Sequence, residues 1–161
     1  IAPMRAAGQG TLVGIASVAG LRGIPGSEAY SASKAAVIAY LESLRVEMRG
    51  SGVSVLTIVP GYVRSEMTAV NDFRMPFLIS ADDFARRAVQ AILRRDAYRT
   101  IPWQMGLVST ALRSMPRPLY DRIFEKAPRK PRRPQLAEDG ASGPVHLRPG
   151  DSRPARGGNA S

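Results

Sequence analysis

Tyr30 and Lys34 are the residues whose types and spacing most directly suggest chemistry. They lie four positions apart in the segment Tyr30-Ser-Ala-Ser-Lys34, so on a helix they share one face. A free phenol, with a pKa of about 10, is a poor acid–base catalyst at neutral pH, whereas a neighbouring cation favours phenolate. The pair is therefore a candidate for proton transfer, although a surface tyrosine beside a lysine explains the same spacing.

Ser17 favours the interpretation of Tyr30 and Lys34 as a proton-transfer pair. It lies thirteen positions before Tyr30 and directly follows the apolar run 11–16, which predicts a strand buried on both faces of a parallel sheet. Ligand sites in such sheets form outside the carboxyl ends of the strands. The Ser17 hydroxyl would then be placed to bond a substrate oxygen, whereas taken alone a serine that opens a loop is a turn residue.

The rest of the sequence predicts the elements that would position these side chains. Apolar periodicity and Gly/Pro breaks predict strands at 11–16, 53–59 and 99–103, and helices at 28–49, 81–95 and, broken near Pro116 and Pro118, 104–126. Residues 1–9 resemble the last turns of a helix, and Ser80 and Asp83 have capping-box-like spacing. A strand–helix–strand over 11–59 is a right-handed βαβ unit. The long irregular segment 60–79 is of the kind that is usually functional.

Composition excludes several classes of site. The chain has no cysteine and only one histidine, His146, so it offers neither a thiolate metal site nor a Ser/His/Asp triad. Its acidic residues form no metal-ligand pattern. We find no apolar run of about 20 residues and no signal-peptide layout, and expect a cytoplasmic protein.

Charge and composition divide the chain at residue 126. Residues 127–161 contain six prolines, five glycines and seven Lys/Arg against three Asp/Glu, which predicts a disordered basic tail after a domain at 1–126. A net charge of +10 attracts anionic partners. Without aromatic interleaving, however, we expect a solvated arginine-rich surface and no nucleic-acid partner. The mixed apolar and basic segment 101–126 could lie on a membrane surface, cover the core or a substrate pocket, or form a subunit interface.

Three motifs, in this order and spacing, resemble the short-chain dehydrogenase/reductase family over residues 1–126. They are Gly10-Thr-Leu-Val-Gly-Ile-Ala-Ser17-Val-Ala-Gly20, Tyr30-Ser-Ala-Ser-Lys34-Ala-Ala and Ile58-Val-Pro60-Gly61-Tyr-Val63-Arg-Ser65. The resemblance implies an α/β fold, the C-terminal part of a Rossmann-like doubly wound parallel sheet. It also implies hydride transfer between NAD or NADP and a carbonyl or alcohol substrate.

The same resemblance assigns roles to individual residues. Tyr30 would be the general acid/base, Lys34 would bind the nicotinamide ribose and favour phenolate, and Ser17 would orient and polarise the carbonyl. The nicotinamide would lie against Pro60, Gly61, Val63 and Ser65. Ser65 stands where threonine is commoner in the family, and it keeps the hydroxyl donor.

The family's glycine-rich phosphate loop, its NAD/NADP selector and its helix-borne catalytic asparagine all precede the part that this chain resembles. We therefore expect a C-terminal fragment, inactive and poorly stable in isolation because its sheet has an open edge, whose full-length parent is a homo-oligomer. Apolar residues of the 62–80 loop favour a hydrophobic substrate: Met67, Phe73, Met75, Phe77 and Leu78. The alternative is a non-catalytic binding or scaffold module that uses the basic segment from Arg86 onward.

Overall fold

The computed structural model describes residues 1–65, 68 and 75–125 of the chain. The expected disordered tail, 127–161, lies outside the described residues, as do Met67 and Phe73. The elements follow one another as α1 (Ala2–Ala6), β1 (Gly10–Ile15), a single 3-10 turn (Val18–Gly20), α2 (Glu28–Glu47), β2 (Val53–Pro60), α3 (Ala81–Leu93), β3 (Tyr98–Ile101), α4 (Trp103–Ser114) and α5 (Arg117–Phe124).

The three strands form one parallel sheet in the order β1-β2-β3. Ile15 pairs with Ile58, and Pro60 pairs with Ile101, so the carboxyl ends of all three strands lie at the same edge of the sheet. The predicted α/β class and the three parallel strands are confirmed. Ligand sites of parallel sheets form at this edge.

β2 is the centre of the sheet. Its side chains alternate between two cores, because successive residues of a strand point to opposite faces. One face packs Val53 and Val55 against Leu41 and Leu44 of α2. The other packs Leu56 and Ile58 with residues of α3 and β3: Ala88, Ala91 and Ile101. Helices therefore cover both faces, as in a doubly wound fold.

β1 differs from its prediction. The continuous apolar run predicted burial on both faces, but β1 is only half-buried along its length, and Ile15 is 48% exposed. The reason is its position, since within the described residues β1 pairs with β2 alone and forms one edge of the sheet. The sequence pattern identified the strand correctly but did not reveal that its outer side is open.

Several predicted helix ends are confirmed. The Ser80 hydroxyl accepts a hydrogen bond from the Asp83 amide at 3.1 Å and caps the N-terminus of α3. The chain breaks between α4 and α5 at Pro116, as the two prolines of this segment predict. α1 is a short helix within the predicted helical stretch 1–9. None of the helices among the described residues is long and apolar enough to cross a bilayer.

Candidate active site at the carboxyl edge of the sheet

Ser17 lies just beyond the carboxyl end of β1. The Ala16 amide donates to the Ile58 carbonyl at 2.8 Å, which continues the ladder to the residue before Ser17. Ser17 is buried in an extended conformation, and its hydroxyl accepts from the Ala19 amide at 3.2 Å, which caps the 3-10 turn. A hydroxyl that accepts in this way keeps its own proton available for donation.

Gly20 connects this turn to α2. A Cβ at this position would lie 2.7 Å from the carbonyl carbon of Lys34 and 2.9 Å from the Ala35 nitrogen, a distance that real Cβ atoms do not show. The main chains of the 3-10 turn and α2 are thus in direct contact, which only glycine permits. This contact joins the segment that follows Ser17 to the helical turn that carries Lys34.

Lys34 connects α2 to the edge of the sheet. Its ammonium donates to the Ile15 carbonyl at 3.2 Å, and Nζ lies 5.7 Å from the centroid of the Tyr30 ring. Because the Ala16 amide points towards β2, the Ile15 carbonyl points to the outer, open side of β1. The ammonium is therefore held between the end of β1 and the Tyr30 ring.

Tyr30 lies on the first turn of α2 and is 43% exposed. In the part of the chain that the structure describes, its hydroxyl makes no hydrogen bond to protein, so it is free for a ligand. The predicted i, i+4 relation to Lys34 is present as a cation near the ring. Tyr30, Lys34 and the Ser17 segment thus meet at the carboxyl edge.

The segment after β2 forms a second side of this edge. The Gly61 amide donates to the Ile101 carbonyl at 2.8 Å, and a Cβ at Gly61 would lie 2.5 Å from Cγ of Met105 in α4. Val63 then makes an isolated parallel bridge with Ile79. The backbone positions of Pro60, Gly61 and Val63 are thus set by contacts with β3, with α4 and with Ile79 at the end of the loop.

Ser65 is held by Thr68. Its amide donates to the Thr68 hydroxyl oxygen at 2.9 Å, and the two side-chain oxygens lie 3.4 Å apart. The same Thr68 hydroxyl lies 2.9 Å from the Val63 carbonyl oxygen. Burial raises the pKa of the neighbouring Tyr62 phenol above its usual value.

Sequence reasoning missed Arg22, which lies in the loop between Ser17 and Tyr30. Its guanidinium donates to the carbonyls of Leu112, Arg113 and Met115 at 3.0–3.2 Å and so satisfies the C-terminus of α4. The Tyr120 hydroxyl of α5 donates to the carbonyl of Gly23, a residue 97 positions away. These contacts tie the loop to α4 and α5, and no local pattern in the sequence indicates them.

Comparison with known proteins identifies the fold and the family. The sequence pattern of the short chain dehydrogenase family matches residues 1–74. An uncharacterized oxidoreductase of Myxococcus xanthus is 47% identical over 113 residues, which are 70% of this chain and 45% of that protein. The chain belongs to the short-chain dehydrogenase family. It spans about half the length of the relatives that it matches.

Two solved structures show the same fold. A short-chain dehydrogenase from Sphingobium yanoikuyae in complex with NADPH has a TM-score of 0.58 and 22% identity, over 83% of this chain and 52% of that one. A short-chain dehydrogenase from Burkholderia cenocepacia J2315 in complex with NADP has a TM-score of 0.58 and 23% identity, over 76% and 51% of the two chains. Both of these proteins hold a nicotinamide cofactor.

Proposed function

We propose that this short-chain dehydrogenase chain supplies the proton-transfer residues and one nicotinamide-facing wall of an NAD(P)-dependent oxidoreductase, which interconverts a carbonyl and an alcohol. The position of the Lys34 ammonium carries the proposal, because it lies 3.2 Å from the Ile15 carbonyl oxygen and 5.7 Å from the Tyr30 ring centroid. An ammonium in this position is within reach of a ligand that also contacts Tyr30. A helix-surface pair without catalytic use has no need of the strand carbonyl.

Tyr30 acts as the general acid/base. In carbonyl reduction its hydroxyl donates a proton to the substrate oxygen, and in alcohol oxidation the phenolate takes that proton back. Its exposure and its free hydroxyl leave room for a substrate oxygen at hydrogen-bond distance. The Ser17 hydroxyl donates a second hydrogen bond to the same oxygen, which orients the carbonyl and stabilises the charge that develops on it.

The residues present fit a nicotinamide cofactor. An ammonium has three N–H donors, and within the described residues Lys34 uses one of them, which leaves two for the hydroxyls of a ribose. Pro60, Gly61, Val63 and Ser65 would hold the nicotinamide on the other side. When bound, the nicotinamide supplies the hydride acceptor or donor, and the protein supplies orientation and charge. Relatives bound to NADPH and NADP support this class of cofactor, and we propose NAD or NADP.

The substrate that we propose is a hydrophobic carbonyl or alcohol compound. Phe77 is exposed, and Met75 and Leu78 are half-buried at the return of the loop that follows the nicotinamide wall. Apolar side chains beside a polar reaction centre bind the non-reacting part of a ligand. We also propose that the full-length protein is a homo-oligomer, in line with the exposed Val46 on α2.

The isolated chain is expected to be poorly stable and inactive. The open edge of β1 leaves alternate backbone donors and acceptors unpaired among the described residues, and such an edge favours association. Sedimentation of the purified chain checks this expectation. Cooperative unfolding of a monomer, with cofactor-dependent turnover, would contradict it.

The deciding experiment uses the complete gene product. We expect Tyr30→Phe to lower kcat/KM by about 10²- to 10⁴-fold, the usual contribution of a positioned acid/base, with NADPH binding retained. Tyr40→Phe is the matched control, because Tyr40 lies on the same helix and is 62% exposed. The measurement is the absorbance of NADH and, separately, of NADPH with a panel of ketones. Equal turnover of the two variants would remove the role of Tyr30, whereas no turnover by the unmodified protein with either cofactor would favour the non-catalytic module.

A further inference from the structure

α4 has two different faces. Met105 and Ser109 are buried towards the sheet, whereas Trp103 and Leu107 are 63% and 64% exposed. Trp103 and Leu107 are four positions apart and therefore lie on one side of the helix. The apolar residues of 101–126 thus divide into residues that cover the core and residues that face solvent. The exposed ones are this pair on α4 and Leu119 and Ile123 on α5.

Arginines surround this pair. Trp103 lies between two shallow grooves, one lined by Arg87, Arg94 and Arg99 and the other by Arg99, Leu107 and Arg113. We call Arg87, Arg94, Arg99, Trp103, Leu107 and Arg113 the Trp103 surface. Among the described residues, Asp96 is the only acidic residue that lines either groove, and it accepts hydrogen bonds from Arg99 at 2.5 and 2.9 Å.

We propose that the Trp103 surface docks on an anionic lipid bilayer. Tryptophan favours the boundary between headgroups and acyl chains, and transfer of an exposed leucine from water into the acyl region lowers the free energy. Arginine stems can lie along the apolar region while their guanidinium groups reach the lipid phosphates. Four arginines against one aspartate give the surface the sign that an anionic leaflet attracts. The proposal is independent of the proposed catalytic function.

The two competing partners fit this surface less well. A second copy of the chain would place arginines opposite arginines, because a two-fold interface brings the same patch against itself. A single-stranded nucleic acid would stack a base on Trp103 and pair its phosphates with the arginines, but it leaves Leu107 without a role. A lipid surface accounts for the tryptophan, the leucine and the arginines together.

The chain contains its own probe for the test, since Trp103 is its only tryptophan. We would titrate the complete gene product, with any tryptophan outside this chain replaced by phenylalanine, with vesicles of phosphatidylcholine alone and with vesicles that contain equal parts of phosphatidylserine. With the anionic vesicles we expect a blue shift of Trp103 emission and quenching by bromine-labelled acyl chains, both lost in 1 M salt, where the Debye length is about 3 Å. Quenching reports depth at Trp103 itself, so binding through the basic segment 127–161 alone would leave the emission unchanged.

Substitutions locate the binding surface. We expect Leu107→Ser and Arg94→Gln each to weaken partition into anionic vesicles by about tenfold, because the first removes the apolar side chain that would insert into the bilayer and the second removes a surface charge. Tyr40→Ser, at an equally exposed apolar residue of α2, is the control and should bind as the unmodified chain does. Circular dichroism of each variant before lipid addition establishes that its fold is retained.

Four outcomes would overturn the proposal: an unshifted emission, an equal shift with neutral vesicles, a shift that depends on protein concentration without lipid, or a shift with an oligonucleotide only. The last two would identify self-association and nucleic acid as the occupants. Equal lipid binding by Leu107→Ser and Tyr40→Ser would also contradict it.

Discussion

The Arg22 guanidinium lies over the ring of Tyr120, 4.3 Å from the ring centroid. Tyr120 in turn stacks on Phe124 with ring centroids 4.4 Å apart. Arg22 belongs to the loop between Ser17 and Tyr30, whereas both aromatic residues belong to α5. The loop beside the candidate site is therefore held against α5 by the contact of the Arg22 cation with the stacked rings of Tyr120 and Phe124.

We expect Arg22→Met to loosen α4 and α5. The variant keeps an unbranched stem and removes the bonds to the last carbonyls of α4, and hydrogen bonds from charged groups contribute about 1.5–3 kcal/mol. Hydrogen exchange of the full-length protein should show faster exchange of α4 amides. Arg49→Met is the control, because Arg49 is exposed and its side chain makes no hydrogen bond or ion pair in the described part of the chain. Equal exchange in both variants would mean that Arg22 does not cap α4.

We expect the Tyr120 phenol to ionise at a higher pH than an ordinary tyrosine. Burial raises its pKa above the ordinary value of about 10, and this outweighs the lowering effect of Arg22. A raised folded-state pKa means that the stability linked to Tyr120 is complete below pH 10 and is lost as the pH rises through the folded value. Absorbance titration of the unmodified protein minus that of Tyr120→Phe measures this ionisation. A midpoint at or below 10 would contradict the prediction.

We expect Gly20→Ala to disrupt the contact between the 3-10 turn and α2. The new Cβ would meet main-chain atoms of Lys34 and Ala35, which cannot move aside as a side-chain end can, and overpacking of this kind costs about 1–3 kcal/mol. Thermal unfolding of the full-length protein measures the loss. Gly23→Ala is the matched control, because a Cβ there meets nothing within 4 Å. If both variants melt together, the close approach is not required.

We expect Ser80→Ala to destabilise α3 by about 1 kcal/mol, the usual cost of losing an N-cap hydroxyl. The Ser80 hydroxyl accepts from the Asp83 amide, whereas Ser27, at the N-cap of α2, makes no such bond. Ser27→Ala should therefore change the stability little. Chemical denaturation of the two variants compares them, and an equal loss would show that the Ser80 bond is not what stabilises α3.

The sequence predicts the sheet well because its strands are apolar runs bounded by glycine and proline. β2 was expected at 53–59 and extends over Val53–Pro60, and α2 was expected at 28–49 and extends over Glu28–Glu47. The i, i+4 spacing likewise places Tyr30 and Lys34 together. The carbonyl that Lys34 binds could not be predicted, since it depends on which side of β1 is left open.

Contacts between distant parts of the chain account for the rest. Arg22 and Tyr120 meet only because α5 returns to the loop after Ser17, and nothing in either local sequence encodes that return. The exposure of Trp103 and Leu107 could not be predicted either, because apolar residues at helical spacing fit a buried face equally well. The sequence pattern predicts the apolar side of a helix, and tertiary packing decides which residues of that side are buried.

The contact at Gly20 has a consequence for how the protein can change over time. Two main chains that already touch set a lower limit on the distance between the Ser17 turn and the Lys34 backbone, whichever side chains fill the core beneath α2. A hydrophobic exchange at Leu44 would change the stability and leave this limit in force, whereas Leu41 packs directly on Gly14 of β1, so an exchange there also acts on the strand that leads to Ser17. Gly20 is therefore a residue whose replacement would reach the site even if every core side chain were kept.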